Sequence, residues 1–207
     1  MLAMTHSPWA REYERTPHEY VLGTQPSEFA SSIRELLSPG ARVLEVGCGE
    51  GRDSVFFATR GCDVTSLDVS AAGLRKAERL ASAHGVRVRW VCGDAASDIP
   101  DGPFDFVYSC GALHYVPRDR RPGLFDRLAA VTRPGGHHAH VVFTDRRVHV
   151  EMREQIDYFT IGELRRVYAG WAVLECESGL ITCAQDGTRH RHSVERLVAR
   201  KARVSGP

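Results

Sequence analysis

Nine residues constrain this chain more than any others: Val43-Leu44-Glu45-Val46-Gly47-Cys48-Gly49-Glu50-Gly51. Apolar residues flank an acid, the pattern of a short buried strand. Three glycines at alternate positions then make a loop, and Arg52-Asp53-Ser54 with Val55-Phe56-Phe57-Ala58 reads as the start of a helix. A strand, a glycine turn and a helix N-terminus in that order let a ligand approach bare backbone N–H groups. The rest of the chain reads as the fold that supports this loop.

The pattern downstream alternates strands and helices. Strand one is Arg42–Val46, followed by a helix from Gly51 to Thr59 that Gly61 stops. Cys62–Asp68 is a second strand ending on an acid. Ser70 caps a helix over Ala71–His84, and Gly85 ends it. Val86–Val91 is strand three and Phe104–Ser109 strand four. Leu124, Leu128 and Val131 mark a helix that Pro134-Gly135-Gly136 ends, and His138–Phe143 is strand five. Thr160–Ala169 reads as a helix with Leu164 and Val167 on one face. Trp171–Thr182 and Arg189–Arg200 form two strands around the turn signal Gln185-Asp186-Gly187-Thr188. The expected fold is α/β: a doubly wound, Rossmann-like, seven-stranded and mostly parallel sheet with a C-terminal antiparallel hairpin.

With 207 residues and no linker or repeat, one domain is expected. Residues 28–207 form its core. Residues 1–27 form an N-terminal flap punctuated by Pro8, Pro17 and Pro26, with Pro17 interrupting any helix from Glu12 to Tyr20. A net charge of +1 supplies no global field for nucleic acid or an anionic membrane. No apolar run reaches the ~18 residues of a membrane span, and no leader pattern opens the chain. The six cysteines are scattered without a C-x-x-C, which points to a reducing cytoplasm and small buried hydrophobes rather than disulfides or metal ligands. A monomer or homodimer acting on a small molecule is expected.

In open α/β sheets ligands bind at the carboxyl ends of the strands, where Gly47–Gly51 and Asp68 both fall. The Gly47 to Asp68 gap is close to the ~20 residues that separate a glycine loop from a ribose-binding acid. That pairing argues for a nucleoside ligand. The dinucleotide fingerprint G-x-G-x-x-G fails, because its third glycine falls on Arg52 and the extra glycine is Gly51. A Gly-x-Gly-x-Gly register suits a ligand without a pyrophosphate, one whose amino-acid moiety lies along the loop. A nicotinamide-linked oxidoreductase also lacks its Tyr-x-x-x-Lys here: Lys76 and Lys201 are the only lysines and neither follows such a tyrosine.

On Val43–Gly51, Asp68, Gly93-Asp94, Phe104–Ser109 and Arg133-Pro134-Gly135-Gly136, the sequence resembles the class I S-adenosylmethionine-dependent methyltransferases. It is similar in particular to the tellurite-resistance and thiopurine methyltransferase branch. That likeness is carried by Gly49-Glu50-Gly51-Arg52-Asp53-Ser54, Gly61-Cys62-Asp63-Val64-Thr65, the stretch from Gly162 to Trp171, and Val198-Ala199-Arg200-Lys201. The resemblance implies S-adenosyl-L-methionine as cofactor. Glu45 and the backbone of Gly47, Cys48, Gly49 and Gly51 would hold its methionine part, and Asp68 its ribose hydroxyls. Val69, Asp94 and Ala95 would meet the adenine, and Ser109 or Cys110 would lie near the methionine amine. The tellurite enzymes are similar in having a His-Arg pair on the first strand of the last hairpin. This chain has Ile181-Thr182 there and keeps Arg189.

Methyl transfer from a sulfonium is an in-line displacement, so a protein mainly aligns donor and acceptor in a dry pocket, and a base is needed only for a protonated acceptor. The acceptor expected is a heteroatom of a small molecule: sulfur, selenium or tellurium, oxygen, or nitrogen. His114, Tyr115 and Arg189 are the catalytic candidates, and Arg146 and Arg147 candidates for pairing an anionic substrate. Trp9, Tyr13 and Tyr20 are candidates for a lid whose rings favour a cation. His190 and His192 share one face of a strand, but no third ligand sits at matching spacing, so no metal is expected. His137, His138 and His140 read as packing or solvent-facing residues. The alternative is a protein or enzyme that binds the sulfonium cofactor on the same fold without transferring methyl.

Overall fold

The computed structural model describes residues 8–146, 156–183 and 189–203. Its seven strands are β1 (Arg42–Val46), β2 (Asp63–Asp68), β3 (Arg89–Cys92), β4 (Phe104–Cys110), β5 (Thr132–Phe143), β6 (Ala172–Cys183) and β7 (His190–Arg200). They form a mixed, mostly parallel sheet in the order β3-β2-β1-β4-β5-β7-β6, the doubly wound α/β arrangement expected from the sequence. The chain divides into two units, residues 1–100 and 101–207.

In the first unit β1 pairs in parallel with β2, and β2 with β3. Helix α1 (Pro8–Arg15) ends before Pro17, as that proline requires. Helix α2 (Glu28–Ser32) is capped by Ser27, whose hydroxyl accepts from the Ala30 amide at 3.0 Å. Helix α3 (Arg52–Thr59) starts where the glycine loop ends, and the Ser70 hydroxyl caps α4 (Ala71–Ala83) through the Gly73 amide at 3.0 Å. The α4 C-terminus is a Schellman motif: Gly85 at φ +67° donates to Ser82 O, and Val86 donates to Ala81 O. Val86 therefore packs back on the cluster of Val55, Leu80 and Ala81 instead of starting β3, which begins three residues later at Arg89.

In the second unit β4 pairs in parallel with β5, and β5 and β6 flank β7 antiparallel. Helix α5 (Arg121–Ala130) ends ahead of Thr132-Arg133-Pro134-Gly135-Gly136, which joins β5. Strand five is thus six residues longer at its start than its sequence pattern. Tertiary pairing overrides the Pro-Gly-Gly signal: Thr132 is in register with Phe104, Gly135 donates to Lys201 O, and Lys201 donates to Gly136 O. Helix α6 (Glu163–Val167) is shorter than the expected Thr160–Ala169. Its buried face is Leu164 and Tyr168, four residues apart, while Val167 is exposed. Both oxygens of the buried Glu195 carboxylate accept at its start, from the Gly162 and Leu164 amides. The hairpin turn expected at Gln185–Thr188 lies outside the described residues.

A polar network runs through the core of the second unit. The Tyr168 hydroxyl lies 2.6 Å from His138 Nδ1 and 2.8 Å from His140 Nε2, and His138 Nε2 lies 2.8 Å from the Thr132 hydroxyl. Phe125 packs edge-on against His140, Phe159 and Tyr168. Burial depresses both imidazoles, His140 to about 3 and His138 well below its ordinary value. Their folded values lie below the unfolded value, so their stabilising effect is complete above about pH 6.5 and is lost as pH falls toward the folded values. The slope is up to ~1.4 kcal/mol per pH unit for each imidazole.

Tyr168→Phe leaves both imidazole nitrogens facing a ring edge. It is expected to cost ~1–3 kcal/mol, seen as a lower urea midpoint with an unchanged slope. An unchanged midpoint would show that the network contributes nothing.

Candidate functional site

The glycine loop turns at three left-handed residues, Gly47, Gly49 and Gly51, at φ +76°, +54° and +81°. The last two also need the missing side chain. A Cβ on Gly49 would lie 2.6 Å from the Tyr13 hydroxyl, and one on Gly51 would lie 2.5 Å from the Ala77 Cβ. Side chains at these positions meet both backbone strain and steric overlap.

The amides of this loop are not bare, contrary to the sequence expectation. Gly47 N and Cys48 N donate to Leu67 O at 2.7 and 3.2 Å, and Gly51 N donates to Cys48 O at 2.9 Å. Gly49 N donates to Asp68 Oδ2 at 2.7 Å, and the other Asp68 oxygen accepts from Ser70 N at 2.8 Å. Four of the loop's five amides are therefore spent within the protein, and so are the Cys48 and Gly51 carbonyls, which accept from Gly51 N and Val55 N. A carboxylate has about four lone-pair directions, so the Asp68 side chain retains one for a ligand hydroxyl beside its amide hydrogen bonds. Burial pushes the Asp68 carboxyl up, against the three amide hydrogen bonds from Ser70, Gly49 and Val69 that hold it down.

Glu45 stands behind the loop, buried and hydrogen-bonded by the Ser54 hydroxyl, which also lies 2.8 Å from the Ser66 hydroxyl. Desolvation first, and then the Asp53 charge, raise its carboxyl well above the carboxylate range. The same burial, with Asp68 and Glu45 nearby, pushes the Cys48 thiol up, so Cys48 is no nucleophile. Val69, Asp94 and Ala95 are half-buried. The Asp94 carboxylate accepts from the Ala96 amide at 2.8 Å, and its own amide donates to Asp98.

The N-terminal segment is tied down on this loop by the loop's own acids. Glu50 accepts from the Val21 and Leu22 amides and makes a buried ion pair with Lys76 of α4. Asp53 accepts from the Ser27 amide at 2.7 Å and its hydroxyl at 2.8 Å. Tyr13 is thereby buried over Gly49 and Gly73, with its ring 5.3 Å from the Lys76 ammonium and 5.7 Å from Trp9. Of the three aromatics expected in a lid, Tyr13 lies on the glycine loop with Trp9 beside it. Tyr20 instead packs on the Val55 cluster and donates to Lys76 O at 3.0 Å. Sequence reasoning missed Glu50 and Lys76. Their only signal was that Lys76 is one of just two lysines in an arginine-rich chain.

In the second unit His114 sits in the 3-10 turn Leu113–Tyr115, fully buried. Its ring stacks on Phe143 at 4.2 Å, and Phe143 stacks on His192 at 4.3 Å. Nδ1 of His114 accepts from the Phe143 amide at 3.3 Å, so the neutral ring carries its proton on Nε2, a buried atom with no hydrogen-bond partner among the described residues. Desolvation, then the charges of Arg121 and His192, lower its pKa to about 3. It stays neutral at physiological pH, which makes it a hydrogen-bond donor and a poor base. Tyr115 and Cys110 are half-buried, and Ser109 is fully buried. Arg189 and Arg146 are exposed, and Arg147 lies outside the described residues. All six cysteines are free; Cys48 and Cys62 are buried as expected, while Cys92 is exposed. No helix among the described residues is long and apolar enough to cross a membrane.

Residues 43–136 match the family profile of a methyltransferase domain. Among curated proteins, the chain is 27% identical over 152 residues to hemagglutinin 1 of Eikenella corrodens, covering 72% of this chain and 51% of that protein. It is 34% identical over 131 residues to an uncharacterized methyltransferase of Mycobacterium tuberculosis, covering 62% and 64%. The chain thus spans between half and two thirds of these relatives. Among solved structures, TehB from Haemophilus influenzae superposes with a TM-score of 0.76 at 22% identity, over 92% of this chain and 67% of that one. The Burkholderia thailandensis 1,6-didemethyltoxoflavin-N1-methyltransferase, solved with 1,6-didemethyltoxoflavin and S-adenosylhomocysteine, superposes with a TM-score of 0.65 at 22% identity, over 93% and 87%. The chain has the fold of the class I S-adenosylmethionine-dependent methyltransferases.

Lys76→Met leaves the Glu50 carboxylate buried without its cation. It is expected to destabilise the protein by ~3–5 kcal/mol and to speed limited proteolysis within residues 9–26, with Glu50→Gln/Lys76→Met recovering part of the loss. Unchanged cleavage would show that the pair does not hold the segment.

Proposed function

We propose that this chain is an S-adenosylmethionine-dependent methyltransferase that methylates a heteroatom (sulfur, selenium or tellurium, oxygen, or nitrogen) of a small molecule. The observation that carries the reading is the glycine loop, whose Gly47, Cys48, Gly49 and Gly51 amides donate within the protein beside the acids Asp68 and Glu45. A pyrophosphate needs free N–H donors. A ligand with an ammonium, a sulfonium and ribose hydroxyls needs acceptors, and Asp68, Glu45 and the loop carbonyls supply them.

When bound, the sulfonium supplies an already activated methyl group, and the chain's own residues bind, orient and exclude water. Asp68 would accept from the ribose hydroxyls, and Glu45 with the Gly47–Gly51 backbone would hold the methionine part. Val69, Asp94 and Ala95 would meet the adenine, and Ser109 or Cys110 the methionine end. Tyr13, pinned over Gly49, would exclude water, and its ring face favours a cation. Such alignment supplies roughly 7–11 kcal/mol of barrier reduction. His114 carries its proton on Nε2, and His114, Tyr115, Arg189, Arg146 and Arg147 remain candidates for substrate contact. The Burkholderia enzyme's small ligand and the near-neutral charge support a small-molecule acceptor, with no nucleic-acid or membrane partner. Six free thiols support a cytoplasmic setting, as a monomer or homodimer.

Calorimetry with S-adenosylhomocysteine tests the cofactor assignment, and the absence of binding would sink it. Asp68→Asn is expected to weaken binding by about 10-fold or more, the value of a hydrogen bond to a charged group. Because burial raises the Asp68 pKa, affinity is full above that raised value and falls as pH drops through it. The loss therefore begins at higher pH than for an exposed aspartate. Methyl transfer itself is read as product gaining one CH₂ with S-adenosylhomocysteine accumulating. Binding without that gain would favour a non-methylating enzyme on this fold.

A further inference from the structure

The end of the β6–β7 hairpin where β6 gives way to β7 gathers three metal-ligating side chains from residues that no sequence motif joins. β6 and β7 run antiparallel with Cys183 directly opposite His190, and Ile181 opposite His192. Directly opposed residues on neighbouring strands share a face, and so do residues two apart on one strand. Cys183, His190 and His192 therefore all project to one side. Their donor atoms, Cys183 Sγ and one ring nitrogen from each histidine, lie within 4.8 Å of one another. The two imidazoles turn toward each other until their Nε2 atoms are 2.8 Å apart.

We propose that Cys183, His190 and His192 form a binding site for a borderline-soft divalent cation, Zn²⁺. On a tetrahedral zinc, bonds of about 2.0–2.1 Å to nitrogen and 2.3 Å to sulfur set the donor atoms roughly 3.3–3.6 Å apart. Small side-chain rotations convert the observed cluster to that spacing. One thiolate and two imidazoles are a donor set that suits zinc and disfavours the oxygen-seeking magnesium and calcium. Binding exchanges the Cys183 thiol proton for the metal, and the histidine donating in the Nε2–Nε2 contact moves its N–H to Nδ1. One proton leaves per metal. The His192 ring is buried and held in a parallel stack on Phe143, which fixes its plane. His190 is half-buried and Cys183 is partly accessible, which leaves a path for the ion. The fourth position stays open to water or a soft anion.

No third ligand sits at matching spacing in the sequence around His190 and His192, which is why no metal was expected. The third ligand comes from across the hairpin. The site is independent of the glycine loop, so its failure leaves the cofactor assignment untouched.

Cobalt titration of the full chain tests the site. Co²⁺ is expected to bind with 1:1 stoichiometry, giving a near-ultraviolet thiolate-to-metal charge-transfer band and visible bands of tetrahedral intensity, both abolished by Zn²⁺. Cys183→Ala should remove the charge-transfer band, and His190→Ala should weaken Zn²⁺ binding by more than ~100-fold, beyond the ~10–100-fold typical of losing a residue that only orients a ligand. Circular dichroism in chelator establishes that each variant is folded, and His190→Ala, at a half-buried position, serves if another variant is not. A charge-transfer band that persists in folded Cys183→Ala would overturn the proposal, as would the absence of any band at a few equivalents of Co²⁺.

Discussion

The hydrogen bond from the Gly49 amide to the Asp68 carboxylate, at 2.7 Å, joins the end of β1 to the end of β2 and sets what the loop can bind. It spends the central amide of the glycine loop on the protein's own acid. With Gly47, Cys48 and Gly51 also donating internally, four of the loop's five amides are spent within the protein. The three left-handed glycines make that turn possible, and the close approach of Tyr13 and Ala77 makes the absence of side chains at Gly49 and Gly51 necessary. A loop built this way offers few free amides to a pyrophosphate, although dinucleotide-binding glycine loops belong to the same broad architecture.

The acids around the loop divide their work. Asp68 and Glu45 face desolvation that raises their pKa values, a cost the fold carries without a full counter-charge. Such groups cost stability at neutral pH. Glu50 and Asp53 are committed differently: both anchor the N-terminal segment, one through Lys76 and two amides, the other through Ser27. The two lysines of the chain are both structural. Lys76 neutralises Glu50, and Lys201 donates to the carbonyls of Ala129 and Thr132 at the end of α5.

Much of the architecture was legible in the sequence because the local signals agree with the tertiary result. β1 spans Arg42–Val46 as its apolar pattern indicates, and Ser70 caps α4 as its position before the helical run indicates. The misreadings came where long-range pairing outweighed local preference. Pro134-Gly135-Gly136 reads as a break, yet Lys201 and Phe104 hold it in β5. Val86 reads as strand, yet the Schellman turn folds it back on α4. His114 reads as a base from its place after strand four, whereas burial keeps it neutral with its proton directed by the Phe143 amide.

By itself the sequence determined the alternation of strands and helices, the glycine register that excludes a dinucleotide, and the acid one strand later, because each rests on neighbours within a few residues or on the fixed spacing of one βαβ unit. Only the tertiary structure decided where the loop amides point, which aromatic covers the loop, and which cysteine meets the histidine pair. Hydrogen-bond partners, burial and cross-strand register belong to residues that are distant in the chain, and no local pattern encodes which of several candidates arrives.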